Sequence, residues 1–201
     1  MRPRLAIIAL GAANRRSIAR ALERAGGDPI FVEEPRGVQD ADGVIVPGVA
    51  NVGYLAAEFD RRKLRAPVLA AIDAGKPCLG ICAGFQLMFE RSDESPEALG
   101  LGIFPGAVQR LRARKSPHLG WNLVEPNDPN FPGGWAYFAH SYAAPADVPD
   151  ATAVTNYGNY FASVGSRGRT IGVQFHPERS GRYGACFLER FVSLARACHA
   201  G

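Results

Sequence analysis

No stretch of this sequence approaches the roughly 18 consecutive apolar residues that a membrane span requires, so no membrane partner is expected. The run Met1-Arg-Pro-Arg-Leu-Ala-Ile-Ile-Ala-Leu10 is also too short for a secretory leader, and the cytoplasm is the expected location. Cysteine is scarce. Cys78, Cys82, Cys186 and Cys198 include no Cys-x-x-Cys pair, which argues against a zinc site or a redox dithiol; no metal and no cofactor are expected. The basic runs Arg61-Arg-Lys63 and Arg110-Leu-Arg-Ala-Arg-Lys115 lack interleaved aromatics. With a net charge of only +4 they read as solvated faces, not as a nucleic-acid surface. Internal repeats and long linkers are absent as well.

What is present is a chain of 201 residues, 47% hydrophobic and 21% charged, enough for one globular domain spanning 1–201 with a sizeable core. Its first half alternates short apolar runs with helical spacing. Leu5 to Leu10, Pro29 to Val32, Gly43 to Val46 and Cys78 to Ile81 read as strands. Ser17 to Ala25, Val52 to Arg65 and Pro67 to Ala74 read as helices. That alternation predicts βαβ units: an α/β fold of flavodoxin-like kind, with a mainly parallel sheet, helices on both faces and chemistry at the carboxyl ends of the strands. After Pro96 the character changes. Gly102 to Leu111, Ala136 to Tyr142, Ala151 to Thr155, Tyr160 to Gly165 and Thr170 to Phe175 read as strands separated by turn signals, so antiparallel hairpins are added to the sheet. Arg182 to Ala197 is a closing amphipathic helix, and Glu125 to Gly134, rich in Pro, Asn and Gly, is the least ordered segment expected.

The chain is organised around Lys76-Pro-Cys-Leu-Gly-Ile-Cys-Ala-Gly-Phe-Gln-Leu-Met-Phe89. Cys82 stands between Gly80 and Gly84 where a buried strand meets a helix opened by Phe85, Leu87, Met88 and Phe89. Gly-x-Cys-x-Gly at that junction has the form of a nucleophile elbow with cysteine as nucleophile. Flanking glycines allow the tight turn, and the helix start offers N–H groups and a positive dipole end to a thiolate or an oxyanion. A buried cysteine alone is commonly inert. Gln174-Phe-His176-Pro-Glu178 supplies the missing parts: Pro177 keeps His176 extended, residues two apart in an extended segment project to one side, and Glu178 can orient the imidazole. Nucleophile, base and orienter together follow the logic of a catalytic triad.

Gly80-Ile-Cys-Ala-Gly84 with Gln86, and Gln174-Phe-His-Pro-Glu178, resemble the class I (triad) glutamine amidotransferases. Pro47-Gly-Val-Ala50, Ser116-Pro-His-Leu-Gly-Trp-Asn122, Tyr137-Phe-Ala-His-Ser-Tyr142 and Gln174-Phe-His-Pro-Glu-Arg-Ser180 are most similar to the glutaminase subunits of imidazole glycerol phosphate synthases. The likeness runs from about Ile7 to Phe191. It implies that Cys82 attacks the side-chain amide of L-glutamine, that His176 moves the proton and that Glu178 holds the imidazole. An oxyanion hole of Val49 and Ala83 is implied, with Gly48, Ala50, Gln86, Glu94, Ser141 and Tyr142 around the glutamine. Asn14, Trp121, Tyr137 and Arg179 would face a (β/α)8-barrel cyclase, the heterodimer partner that receives the ammonia. The cyclase would make imidazole glycerol phosphate and aminoimidazole carboxamide ribotide in histidine biosynthesis.

Two departures from the family pattern bear on this. The first strand ends Ala9-Leu-Gly-Ala-Ala-Asn14 where Asp-Tyr-Gly-x-Gly-Asn is usual, and Ala50 replaces the last glycine of Pro-Gly-Val-Gly, making a positive φ harder to adopt there. A glutaminase feeding a different synthase, and a non-catalytic binding subunit, are the alternative readings.

Overall fold

The computed structural model describes residues 1–10, 15–127 and 132–199. In chain order the elements are β1 (Arg4–Ile8), α1 (Arg15–Arg24), β2 (Asp28–Val32), α2 (Pro35–Gln39), β3 (Gly43–Gly48), α3 (Val52–Arg61), α4 (Arg65–Asp73) and β4 (Cys78–Cys82). Then come α5 (Ala83–Leu87), β5 (Phe89–Ser92), β6 (Phe104–Arg110), β7 (His118–Pro126), β8 (Gly134–His140) and β9 (Tyr142–Ala143). β10 (Ala151–Tyr157), β11 (Asn159–Arg167) and β12 (Thr170–Val173) follow, and a 3-10 turn over Pro177–Arg179 leads into α6 (Gly181–His199).

A nine-stranded sheet runs in the order β2-β1-β3-β4-β12-β11-β10-β7-β8. From β2 to β12 the neighbours are parallel, and from β12 onward they are antiparallel. A second sheet of β5, β6 and β9 lies apart from it. Every residue of β3 and of β4 is buried, as expected for strands covered on both faces. The pleat divides the core in two. On β1, Leu5 and Ile7 join Ile18 and Leu22 of α1 and Leu188 and Phe191 of α6 on one face. Ala6 and Ile8 join Val38, Leu55, Phe59 and Val68 of α2, α3 and α4 on the other. The α/β class, the mainly parallel sheet and the added antiparallel strands are as the sequence predicts. Among the described residues, no helix is long and apolar enough to cross a membrane.

Several boundaries differ from expectation. The helix after Cys82 is only Ala83–Leu87, and Phe89 already belongs to β5. The carbonyls of Leu87, Met88 and Phe89 accept from Leu101, Ile103 and Gly102, so backbone from farther along the chain takes the bonds a continuing helix would use. Packing of Phe85, Phe89 and Phe104, with ring centroids 5.1–5.7 Å apart, fixes that turn. The long helix expected to reach Arg65 breaks at Lys63, whose φ is +56°. β7 has little inward apolar alternation: Leu119, Trp121 and Leu123 face outward, while His118 and Val124 are its buried residues. Of the segment expected to be least ordered, Glu125 and Pro126 end β7 and Gly134 begins β8, while 128–131 lie outside the described residues.

Candidate active site

Cys82 closes β4 with φ +54° and ψ −113°, a conformation that L residues other than glycine rarely hold and that costs about 1–3 kcal/mol. The surrounding packing enforces it. A Cβ on Gly84 would stand 1.8 Å from the carbonyl oxygen of Val46, and one on Gly48 would stand 2.5 Å from the Gly84 nitrogen, so the elbow presses directly on β3. α5 has only five residues and carries a fraction of a full macrodipole.

His176 follows β12, the parallel neighbour of β4, and is held in place through its own backbone. Its N–H donates to the Tyr137 carbonyl at 2.9 Å, and its carbonyl accepts from Ser180 Oγ at 2.6 Å. Glu178 does reach the imidazole, with Oε1 3.0 Å from Nδ1, but not by extension of the strand: Pro177–Arg179 curls into a 3-10 turn that swings the carboxylate back. Cys82 is an electrostatic neighbour of the same imidazole, and with Nδ1 on Glu178 the ring nitrogen left over is Nε2. Burial by itself lowers the pKa of His176. Interactions with Cys82 and with the hydrogen-bonded carboxylate of Glu178 outweigh that burial and push it up to about 10.

These groups open into a cavity of about 420 Å³ at the carboxyl ends of β3, β4 and β12. Its walls include Val49, Ala50, Cys82, Ala83, Gln86, Glu94, Ser141, Tyr142, His176, Glu178 and Arg179, bringing together most of the residues singled out from sequence. Gly48 does not line it and is buried against the elbow instead. Glu94 Oε2 accepts from the Val52 N–H at 2.9 Å, and Asn51 Oδ1 accepts from Ser95 Oγ at 2.8 Å, so the loop carrying Val49 and Ala50 is tied down just beyond its end. Gln86 Nε2 donates to the Tyr142 carbonyl at 2.6 Å and to Gln174 Oε1 at 3.0 Å, so contact with a ligand falls to its Oε1.

Asn51, Pro117, Leu119, Ala139 and His140 also line the walls, and none of them is among the residues expected from sequence. Sequence reasoning also gave no role to the buried pair His118 and His140, joined Nδ1 to Nε2 at 3.1 Å. Both histidines lie in stretches already notable for their motifs, but nothing in a linear pattern marks them as touching. Burial lowers His118 to about 4 and His140 to about 3. Among the described residues, no cluster of three or more His, Cys, Asp or Glu could hold a metal ion.

Outside the cavity mouth, Trp121 packs edge-on against Tyr137 with centroids 6.3 Å apart, and the Arg179 guanidinium lies 3.9 Å above the Tyr137 ring. Trp121 is 54% exposed, so it is a surface residue and not part of the core. Asn14 lies outside the described residues.

The profile of the family described as glutamine amidotransferase class-I matches residues 6–194. A relative from Deinococcus radiodurans named imidazole glycerol phosphate synthase subunit HisH is 41% identical, over 94% of this chain and 93% of its own. One of the same name from Moorella thermoacetica is 41% identical over 100% and 98%. Among solved structures, one described as a glutamine amidotransferase superposes with a TM-score of 0.78 at 18% identity, covering 96% of this chain and 98% of that one. The PurLQS structure from Thermotoga maritima gives 0.71 at 19% identity with full coverage of both chains. At such identities these likenesses speak to fold alone.

Proposed function

Because the chain belongs to the class-I glutamine amidotransferase family, we propose that it is the glutaminase subunit of an imidazole glycerol phosphate synthase. The observation that carries the reading is that Cys82 and the hydrogen-bonded pair His176 and Glu178 line one cavity. Relatives of nearly equal length that bear the synthase-subunit name support the choice of acceptor.

In this reading the Cys82 thiolate attacks the side-chain carbonyl carbon of glutamine. The oxyanion is received between the backbone N–H groups of Val49 and Ala83, an arrangement in which one donor typically contributes about 10²–10³ in rate. His176, protonated at neutral pH, gives its proton to the leaving nitrogen and ammonia departs, leaving a glutamyl thioester. Neutral His176 then takes a proton from water, which attacks the thioester and releases glutamate, restoring thiolate and imidazolium. Glu178 holds the ring in one tautomer throughout. Gln86, Glu94, Ser141, Tyr142 and Ala50 surround the substrate. Trp121, Tyr137 and Arg179 form the face toward the (β/α)8-barrel cyclase, which consumes the ammonia within the complex.

The test is glutamate release from glutamine by the chain alone and with the barrel cyclase of the same genome, with and without the cyclase's nucleotide substrate. Stimulation by cyclase plus nucleotide is the expected result. Cys82→Ala should abolish glutamine-dependent turnover and leave ammonia-dependent synthesis by the complex intact. Turnover indifferent to the cyclase would keep the triad and move the chain to another acceptor synthase, a reading that the Ala9-Leu10 and Ala50 departures favour.

A further inference from the structure

The Cys82 sulfur has a second side-chain neighbour besides His176. Gln174, fully buried on the segment between β12 and His176, brings Nε2 to 3.7 Å from Sγ. An amide can present either its oxygen or its nitrogen, and here the choice is forced by groups that have none. The Tyr142 carbonyl can only accept, so the Gln86 atom 2.6 Å from it is the nitrogen. That same nitrogen lies 3.0 Å from Gln174, so the Gln174 atom it meets is the oxygen. The NH₂ of Gln174 is left facing the sulfur.

The far side of the Tyr142 carbonyl is fixed in the same way. His140 Nδ1 lies 2.9 Å from it and must carry a proton. Neutral His140 then accepts at Nε2 from His118 Nδ1, and His118 Nε2 accepts from Asn122 Nδ2 at 3.2 Å. Burial keeps both rings uncharged, so the direction of every bond in this series is single-valued.

We infer that Gln174 is a further residue of the catalytic apparatus: its N–H donates to the Cys82 sulfur, and Gln86 with the Tyr142 carbonyl holds it in the one orientation that offers a donor. The inference rests on the glutaminase reading for its substrate, but not for its geometry. A fixed donor on the side chain opposite in role to His176 keeps the sulfur aimed and stabilises its anionic form, both as nucleophile and when the thioester breaks. It also gives Gln86 a task apart from lining the glutamine pocket. Gln174 itself does not line the cavity, so its effect through the sulfur belongs in kcat, whereas its bond to Gln86 bears on KM.

Two variants test this in the complex with the cyclase. Gln174→Met keeps length and lacks the donor; kcat for glutamine hydrolysis should fall about tenfold to a hundredfold, a larger change than the rise in KM from freeing Gln86 of its acceptor. Alkylation of Cys82 by iodoacetamide, followed on its own peptide by mass spectrometry, should slow about tenfold. Gln174→Glu keeps the acceptor for Gln86 and has a donor only when protonated. Its alkylation rate relative to the parent should therefore decline as pH rises from 6 to 9, while the same ratio for Gln174→Met stays flat. Alkylation of Gln174→Met within twofold of the parent, or a pH-independent ratio for Gln174→Glu, would overturn the inference. Because alkylation needs no glutamine, absence of turnover in the parent would sink the functional reading and leave this test in force.

Discussion

Cys82 and Ala50 carry opposite backbone problems. Cys82 already holds its positive φ, and the contact of Gly84 with Val46 keeps it there. Ala50 does not: among the described residues, Lys63 and Cys82 are the non-glycine residues of positive φ. The loop at Val49 and Ala50 is thus unstrained as it stands. If completing the oxyanion hole rotates a peptide of this loop so that Ala50 must enter the left-handed region, the cost is about 1–2 kcal/mol that glycine escapes. Ala50→Gly should then raise kcat in the complex about fivefold to tenfold without altering KM, read by steady-state glutamate release. An unchanged kcat would mean that the hole forms without peptide rotation. At this scale the sequence was most legible: Cys82, His176 and Glu178 were all apparent from spacing, since a nucleophile between glycines and a His-Pro-Glu step are local patterns. The role of Gln174 was not, because the direction of an amide depends on partners from β9 and α5 that no local pattern brings together.

At the scale of elements, the hairpin of β7 and β8 joins the site to the surface. His118 stands opposite His140 in its register, stacked between Phe138 and Tyr157 with centroids 4.7 and 4.0 Å away. Both rings have pKa values lowered by burial, so between their folded values and the unfolded value near 6.5 the unfolded chain binds more protons. The stability they contribute is present above about pH 6.5 and is lost as pH falls toward 4. His176 works in the other direction. Its raised value gives a contribution present below pH 6.5 and lost as pH rises toward about 10. Thermal melts across pH 4–10 should show a flank on each side, with the acid flank shallower in His140→Gln and the alkaline flank shallower in His176→Asn. Equal acid slopes in parent and His140→Gln would refute the assignment. Of this hairpin, β8 falls within the strand expected over Ala136 to Tyr142, and β7 was the least legible element. β7 turns leucine and tryptophan outward and histidine inward, the reverse of the pattern by which half-buried strands are recognised.

For the whole molecule, that outward face is where a partner would rest. Leu119, Trp121, Leu123 and Trp135 are exposed on β7 and β8, beside the mouth of the cavity that Leu119 helps to line. Trp121→Ala should weaken association with the cyclase by at least about tenfold in isothermal titration, with little change in melting temperature, as an exposed anchor would. A drop in melting temperature without loss of affinity would assign Trp121 to the fold. The α/β class and the passage from parallel to antiparallel strands could be read from the sequence, because apolar period and turn residues are local. The order of the strands could not, since it is set by pairings between distant segments.

One such pairing has a further consequence for synthesis on the ribosome. β12, the last strand in chain order, enters the middle of the sheet between β4 and β11. Until Thr170 and its successors emerge, a nascent chain has two unsatisfied edges facing an empty slot, and it carries Cys82 without His176 or Glu178. Filling that slot closes the sheet and delivers the base to the sulfur in one event. An incomplete chain is therefore adhesive but chemically silent, and the ability to liberate ammonia arrives only with a finished sheet.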